Sequence, residues 1–537
     1  MKKTLLSAAI AAVSLAGFSQ GAFALAPSVT PDIEIYMSGA TAQDKALKNI
    51  FDTNLCSAAT LHVYKSTNLT DHAAYFCTIL ANTVSGITVN KNVLFHKRSA
   101  GGSAQGVNPL IDGVAIAHME VSTSSCATTK TVLGVTTDLA GTDADPYICS
   151  TLVNKLSDAG ISDVEPTLFK GPNKPSNAGA VSAAASEAAL TVVPAAALLF
   201  GVPVTDNLYA ALQLAQGLRT GSACNTASTE YTDACMPSLS KTQVAELISG
   251  QIKKWSEFKV GGVALTTLVG STTYLAKDGT TSKAILPTDT KVHYCKRVDG
   301  SGTGAQQYAV FLNNPCSTAG LDPDWAGNGI AGPVKHEVSG SGDMEKCLED
   351  FADNTQTGKQ FTAIVGGADT FTTYVNGGGT TAVPANAKTA WAIGMQSMEA
   401  NPAHLKSYRF IKIDGVAPTL ANAFAGKYGD WVEQTYQWRK GAAALNALNP
   451  VTAEEVLILT KIAEQAGNPT VIGTDINVPF MHAFGQSGYM AIGKNFAFTD
   501  TLVPAAPVMP YSHAVAGALN NCQTPVIPSS TNPSKPM

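Results

Sequence analysis

Lys291-Val292-His293-Tyr294-Cys295-Lys296-Arg297-Val298-Asp299-Gly300-Ser301-Gly302-Thr303-Gly304-Ala305 is the stretch on which the fold turns. Lys291 to Tyr294 reads as an extended run and Arg297 to Gly304 as a small-residue turn. Ala305, Tyr308, Ala309 and Leu312 then recur at i, i+3, i+4 and i+7, the spacing of an amphipathic helix. Two other segments follow the same plan. Ile33-Glu34-Ile35-Tyr36-Met37 passes through Ser38-Gly39-Ala40-Thr41-Ala42 into a helix with Leu47, Ile50 and Phe51 on one face. Val93-Leu94-Phe95 passes through Arg98-Ser99-Ala100-Gly101-Gly102-Ser103 into Gln105 to Ile111, whose helical pattern is interrupted by Pro109. Strand and helix patterns alternate from residue 33 onward, which predicts an α/β architecture over a sandwich or a bundle.

A strand, a glycine-rich turn and a helix start together make a trap for anions. The first N–H groups of a helix have no intrahelical acceptor, and the aligned peptide dipoles put partial positive charge there. Glycine lets the backbone approach an oxyanion closely, and Ser or Thr hydroxyls add donors or cap the helix. Arg297, four residues before Ser301, is placed to add a charged fork to the same ligand.

Composition narrows the classes. The 537 residues are 45% hydrophobic, 14% charged and 7% aromatic, which describes an ordered globular chain of several domains or two large lobes. With 35 Lys+Arg against 40 Asp+Glu the net charge is −5, so no basic excess is present to neutralise phosphates, and nucleic acid is excluded as a partner. The one long apolar run, Leu5 to Ala16, is too short to span a bilayer and follows Lys2 and Lys3. With Ala22-Phe23-Ala24 it reads as a secretory signal of Gram-negative type cleaved after Ala24, predicting a periplasmic or secreted, not membrane-spanning, protein.

The ten cysteines (56, 77, 126, 149, 224, 235, 295, 316, 347, 522) form an even set without a C-x-x-C, which suits disulfides in an oxidising compartment and gives no metal or haem signature. Short loops close most readily, so Cys56 with Cys77, Cys126 with Cys149 and Cys224 with Cys235 are the expected staples. Cys295, Cys316, Cys347 and Cys522 have no pairing that sequence fixes. The Thr, Ser, Gly and Ala stretches Val121–Thr137, Gly171–Ala188 and Gly261–Lys283 read as surface insertions carrying β-hairpins, and the Pro/Ser-rich end from Thr524 reads as a loose tail.

Arg297-Val298-Asp299-Gly300-Ser301-Gly302-Thr303 resembles the phosphate-binding component of bacterial ABC phosphate importers, a type II periplasmic-binding-protein family. Ser38-Gly39-Ala40-Thr41 is similar to that family's first turn, and Ser99-Ala100-Gly101-Gly102 to its second. Thr242 to Phe258 is similar to its helix and Gly-x-Ile-x-x-Trp turn. Trp391-Ala392-Ile393-Gly394-Met395 is similar to a later strand, and Ile411 to Ala425 follows in the family's order. The resemblance implies a two-lobed fold with a hinge cleft, enlarged here by disulfide-bearing insertions. The first lobe would take residues 27–198, the second 199–429, with a return to the first over 430–523 and a flexible tail at 524–537.

Carried onto this chain, the family's ligand contacts fall on Thr41 and Ala42, on Ser99, and on Arg297, Ser301, Gly302 and Thr303. The family also has a cleft Asp at the end of the strand after the second turn, which accepts the ligand proton. The matching stretch here is Val114 to Glu120, with His118 nearest that position and Glu120 a second candidate acceptor. A His there would donate to an anion when protonated and accept through one nitrogen when neutral.

Enzyme signatures are weak: no H-E-x-x-H, G-x-S-x-G or phosphate-loop G-x-x-x-x-G-K followed by Ser or Thr occurs. Gly327 to Gly332 matches G-x-G-x-x-G but follows a Pro and Trp loop instead of an apolar strand. Asp143/Asp145 and Asp322/Asp324 lack EF-hand spacing. The expectation is therefore a non-enzymatic solute-binding protein, without cofactor or metal, that holds phosphate or a similar oxyanion and delivers it to an ABC permease. The alternatives are a non-transport extracellular binding protein on the same scaffold and a phosphatase.

Overall fold

A computed structural model describes residues 27–536 except 67–70, 133–134, 220–223, 226–228, 277–278, 326–331, 354–359, 366–367, 374–388, 441–450, 515–517 and 529–534. The signal-like segment and Gly327 to Ala331 lie outside the described residues. Among the described residues no helix is long and apolar enough to cross a membrane.

The chain opens with β1 (Ile33–Gly39), α1 (Asp44–Ile50), β2 (Lys91–Arg98), β3 (Ala159–Ser162) and β4 (Leu190–Gly201). It then builds β5 (Pro203–Thr205), α2 (Lys241–Ile248), β6 (Asp289–Arg297), α3 (Gly302–Gln307), β7 (Val334–Val338), α4 (Ser341–Asp353), β8 (Ala390–Ile393) and β9 (Tyr408–Phe410). It returns through β10 (Trp431–Arg439), α5 (Ala453–Gly467) and β11 (Tyr489–Ile492). Two sheets result. The larger runs β11-β4-β10-β3-β1-β2 through its centre, and the smaller runs β7-β6-β8-β5-β9. The chain passes from one to the other between β4 and β5, and comes back at the start of β10.

Each sheet carries its own core. Ile35, Leu47, Ile50, Phe95, Ile161 and Ile462 are fully buried in the first lobe; Leu208, Trp255, Val292, Leu348, Trp391 and Phe410 are fully buried in the second. Trp255 of the Gly-x-Ile-x-x-Trp turn donates its indole N–H to the Trp391 carbonyl at 3.1 Å, which ties α2's turn to β8. α2 and α5 begin with capping boxes, Ser240 with Gln243 and Thr452 with Glu455, so their first N–H groups are satisfied locally.

All five disulfides form: Cys56–Cys77, Cys126–Cys149, Cys224–Cys235, Cys295–Cys347 and Cys316–Cys522. The first three are the expected short loops. Two insertions carry hairpins, Thr129–Val132 with Val135–Asp138 and Thr273–Leu275 with Ser282–Ala284. Gly171–Ala188 does not: Pro172 and Pro175 disfavour a ladder, and the alanine run forms a helix from Ala183 to Ala189 capped by Ser182. The expected loose tail is corrected at its start, where Val526 exchanges both backbone hydrogen bonds with Ser512 at 2.8 and 3.0 Å. Pro109 begins the helix Asn108–Asp112 instead of interrupting one, because a missing N–H costs nothing in a first turn.

Candidate anion site between the lobes

β1, β2 and β3 run parallel, with Ser38 opposite both Arg98 and Gly160, so their carboxyl ends finish together. The turns after β1 and β2 and the residue after β3 therefore share one edge of the first lobe. β6, parallel to β7 and β8, delivers Arg297 and the Gly300–Gly304 turn from the second. The carboxyl ends of parallel strands are where open α/β sheets present loops to ligands.

The two lobes meet at these turns. Ala104 N donates to the Gly300 carbonyl at 2.8 Å, and Gly101 N to the Ser339 hydroxyl at 3.3 Å. Thr41 Oγ1 lies 3.2 Å from Ser341 Oγ at the start of α4. Glycine permits this approach. Gly102, at φ +76°, would place a Cβ 2.8 Å from the Ser301 Cα, and a Cβ on Gly302 would press on Ser103 and lie 2.7 Å from the Asp163 Cβ.

Arg297 is 2% exposed. Its Nε donates to the Ser339 carbonyl at 3.0 Å and one terminal nitrogen donates to Thr303 Oγ1 at 3.3 Å, both neutral acceptors. Burial lowers its pKa, and the nearby Asp163 carboxylate opposes that shift. Thr303 Oγ1 in turn lies 3.4 Å from Asp163 Oδ2, so the hydroxyl bridges a cation on the second lobe and a carboxylate on the first. Ser301 caps α3 by accepting from Gly304 N at 3.3 Å.

Asp163 was not among the expected site residues. It follows β3, is 2% exposed, accepts from Gln434 Nε2 at 3.2 Å, and its own N–H donates to Ser103 Oγ at 3.2 Å. Burial raises its pKa, with Arg297 pulling the other way. Asp163 is a buried carboxylate 45 positions beyond His118, outside the stretch Val114 to Glu120. Its signal was the short run Ala159-Gly160-Ile161-Ser162 before an Asp, a third strand ending at the same edge.

Of the expected residues, Thr41, Arg297, Ser301, Gly302 and Thr303 lie where the lobes meet, whereas the Ala42 carbonyl accepts from the Tyr489 hydroxyl at 2.6 Å and the Ser99 hydroxyl faces Asp44 within the first lobe. The structure places His118 elsewhere. His118 belongs to a two-stranded excursion, Ile116–Met119 with Leu152–Lys155, and its Nε2 meets Ser157 Oγ at 3.0 Å while its ring sits edge-on to Tyr36. Burial drives its pKa down to about 2, so the ring is neutral. Asp143 and Asp145 pair with Lys65 and Lys130.

No family model matches the chain, and no curated protein matches it. Among solved structures it is similar to a putative phosphate ABC transporter substrate-binding protein with bound phosphate from Clostridium perfringens, at 12% identity and TM-score 0.34, over 80% of this chain and 92% of that one. It is likewise similar to an ABC-type phosphate transport receptor from Vibrio cholerae, at 10% identity and TM-score 0.32, over 80% and 93%. A third similar structure is PstS from Borrelia burgdorferi, at 10% identity and TM-score 0.28, over 81% and 98%.

Proposed function

We propose that this is an exported, non-enzymatic solute-binding protein that holds a tetrahedral oxyanion, phosphate, between its two lobes and hands it to an ABC permease. The observation that carries the reading is Arg297: a fully buried guanidinium on one lobe whose hydrogen bonds run to neutral oxygens, set across Thr303 from the buried Asp163 of the other lobe. A buried charge is costly unless an opposite charge compensates it, and an oxyanion at the start of α3 supplies that charge. Thr41, Ala42 and Ser99 contact the ligand from the first lobe; Arg297, Ser301, Gly302 and Thr303 contact it from the second. Ala42 and Gly302 act through their backbone N–H groups.

Asp163 supplies selectivity. A carboxylate can accept a hydrogen bond only from a ligand oxygen that carries a proton, which hydrogen phosphate has and sulfate lacks at neutral pH. Calorimetric titration of the mature protein with phosphate, sulfate and arsenate tests the proposal. Phosphate and arsenate are expected to bind and sulfate to be rejected. A protein that binds none of the three, or binds sulfate as tightly as phosphate, refutes it.

A further inference from the structure

Ser99, one of the expected anion donors, already holds an anion. Its hydroxyl lies 2.8 and 2.7 Å from the two carboxylate oxygens of Asp44, in the first turn of α1. Lys97 Nζ completes the arrangement. It donates to Ser99 Oγ at 2.6 Å and to the Ala40 carbonyl at 2.9 Å, and pairs with Asp44 Oδ1 at 2.9 Å. Lys97 and Ser99 are 2% and 1% exposed, whereas the Asp44 side chain is 38% exposed.

We propose that Asp44 is an internal competitor for the anion site. Its carboxylate occupies the Ser99 hydroxyl of the second turn and the Lys97 ammonium at the end of β2, and an entering oxyanion displaces it and inherits both. Lys97 thereby becomes a second cationic ligand contact beside Arg297. This inference rests on the anion-binding reading above.

The asymmetry in burial decides which group moves. The Lys97 ammonium is held by backbone carbonyls of the turn after β1, those of Ala40 and, at 3.4 Å, Gly39. Ser99 follows β2 directly, its N–H bound to the Asp71 carbonyl at 2.7 Å. Neither can leave without breaking the sheet edge. Asp44 stands on a helix end with one side in solvent, so side-chain rotation alone carries its carboxylate to water. The exchange is of one anion for another, so Lys97 is never left buried without an opposite charge.

Because Asp44 must be displaced, it weakens binding by the free energy of that exchange. Removing its charge should therefore tighten oxyanion binding, a direction opposite to that expected of a contact residue. The test is calorimetric titration with inorganic phosphate and sulfate of the wild type, Asp44→Ala, Asp44→Asn, Lys97→Met and Arg297→Ala, with thermal melts to establish that each folds. Asp44→Asn covers the case in which alanine unsettles α1.

Both Asp44 variants are expected to bind phosphate about tenfold more tightly than wild type, and Lys97→Met at least about thirtyfold more weakly. If wild type binds phosphate and Arg297→Ala weakens it, but the Asp44 variants bind equally or more weakly, the competitor role alone is overturned. If neither wild type nor the Asp44 variants bind any oxyanion, the site reading falls and the competitor with it.

Discussion

Arg297→Ala is the most direct perturbation of the site. The guanidinium is 2% exposed and lies between neutral acceptors and, across Thr303, the Asp163 carboxylate. Truncation removes a desolvated charge from a bound anion and leaves Asp163 without its compensating cation. Loss of one member of a desolvated, hydrogen-bonded charge pair costs about 2 to 5 kcal/mol. The dissociation constant for phosphate should therefore rise between about 30-fold and about 4,000-fold. Arg297→Lys keeps the charge but loses the planar fork that reaches both Ser339 and Thr303, so it should fall between wild type and alanine. Calorimetry measures the affinities, and a parallel melt separates binding from folding. An Arg297→Ala protein that melts normally and binds phosphate within threefold of wild type would show that the buried guanidinium does not face the ligand.

Four further outcomes follow from the same geometry. Asp163→Asn should abolish discrimination between phosphate and sulfate, because an amide can donate to an unprotonated oxygen; competition binding measures the ratio. Gly302→Ala should weaken phosphate binding, measured by calorimetry, since the new Cβ would press on Ser103 and Asp163 of the other lobe. Burial raises the Asp430 pKa from 3.8 to about 7. The folded state thus binds more protons than the unfolded one between those values, and stability falls as pH rises through that window. Asp430→Asn lacks this loss, so its melting temperature relative to wild type should be higher at pH 8 than at pH 5, the wild type losing at most about 3 kcal/mol between those two pH values. Replacing Cys295 and Cys347 by Ser opens a loop of 52 residues. The change should cost about 4 kcal/mol of stability in denaturant melts, and a loss below 1 kcal/mol would show that the bond adds little to β6 and α4.

Three of the four site segments were legible because each is local. A strand, a glycine-rich turn and a helix lie within about twenty residues, and the hydrophobic period changes from two to about four within that span. The fourth was not. Asp163 follows a strand of four residues, Ala159 to Ser162, fully buried and therefore without alternation. The chain reaches it only after an excursion containing Cys126–Cys149 and the hairpin Thr129–Asp138. Counting onward from the second turn lands on Ile116–Met119 and hence on His118. Register separates the two: Gly160 and Ile161 stand beside Ser38 and Gly39, while Ile116–Met119 pairs with Leu152–Lys155 outside the main sheet. Long-range disulfides were opaque for a related reason, since Cys316 and Cys522 are 206 residues apart and only the return of the chain brings them together.

The crossing strand explains how such charges are tolerated at a hinge. β10 is buried at all nine positions yet contains Glu433, Gln434, Thr435 and Gln437. An ordinary core strand in that setting would be apolar. Here the polar side chains reach groups that converge on the cleft: Gln434 donates to Asp163, Gln437 donates to the Gly106 carbonyl at 2.8 Å, and Gln306 of α3 donates to the Trp431 carbonyl at 3.2 Å. These contacts tie both Asp163 and α3 to β10. On the proposed reading, opening the lobes would hydrate Arg297 and Asp163 separately, and a bound oxyanion would favour closure by giving Arg297 a directly bonded charge partner. On the same reading, closure would be driven by the ligand because the hydrogen bonds of Arg297 run to neutral oxygens and leave its donors short of a directly bonded anion.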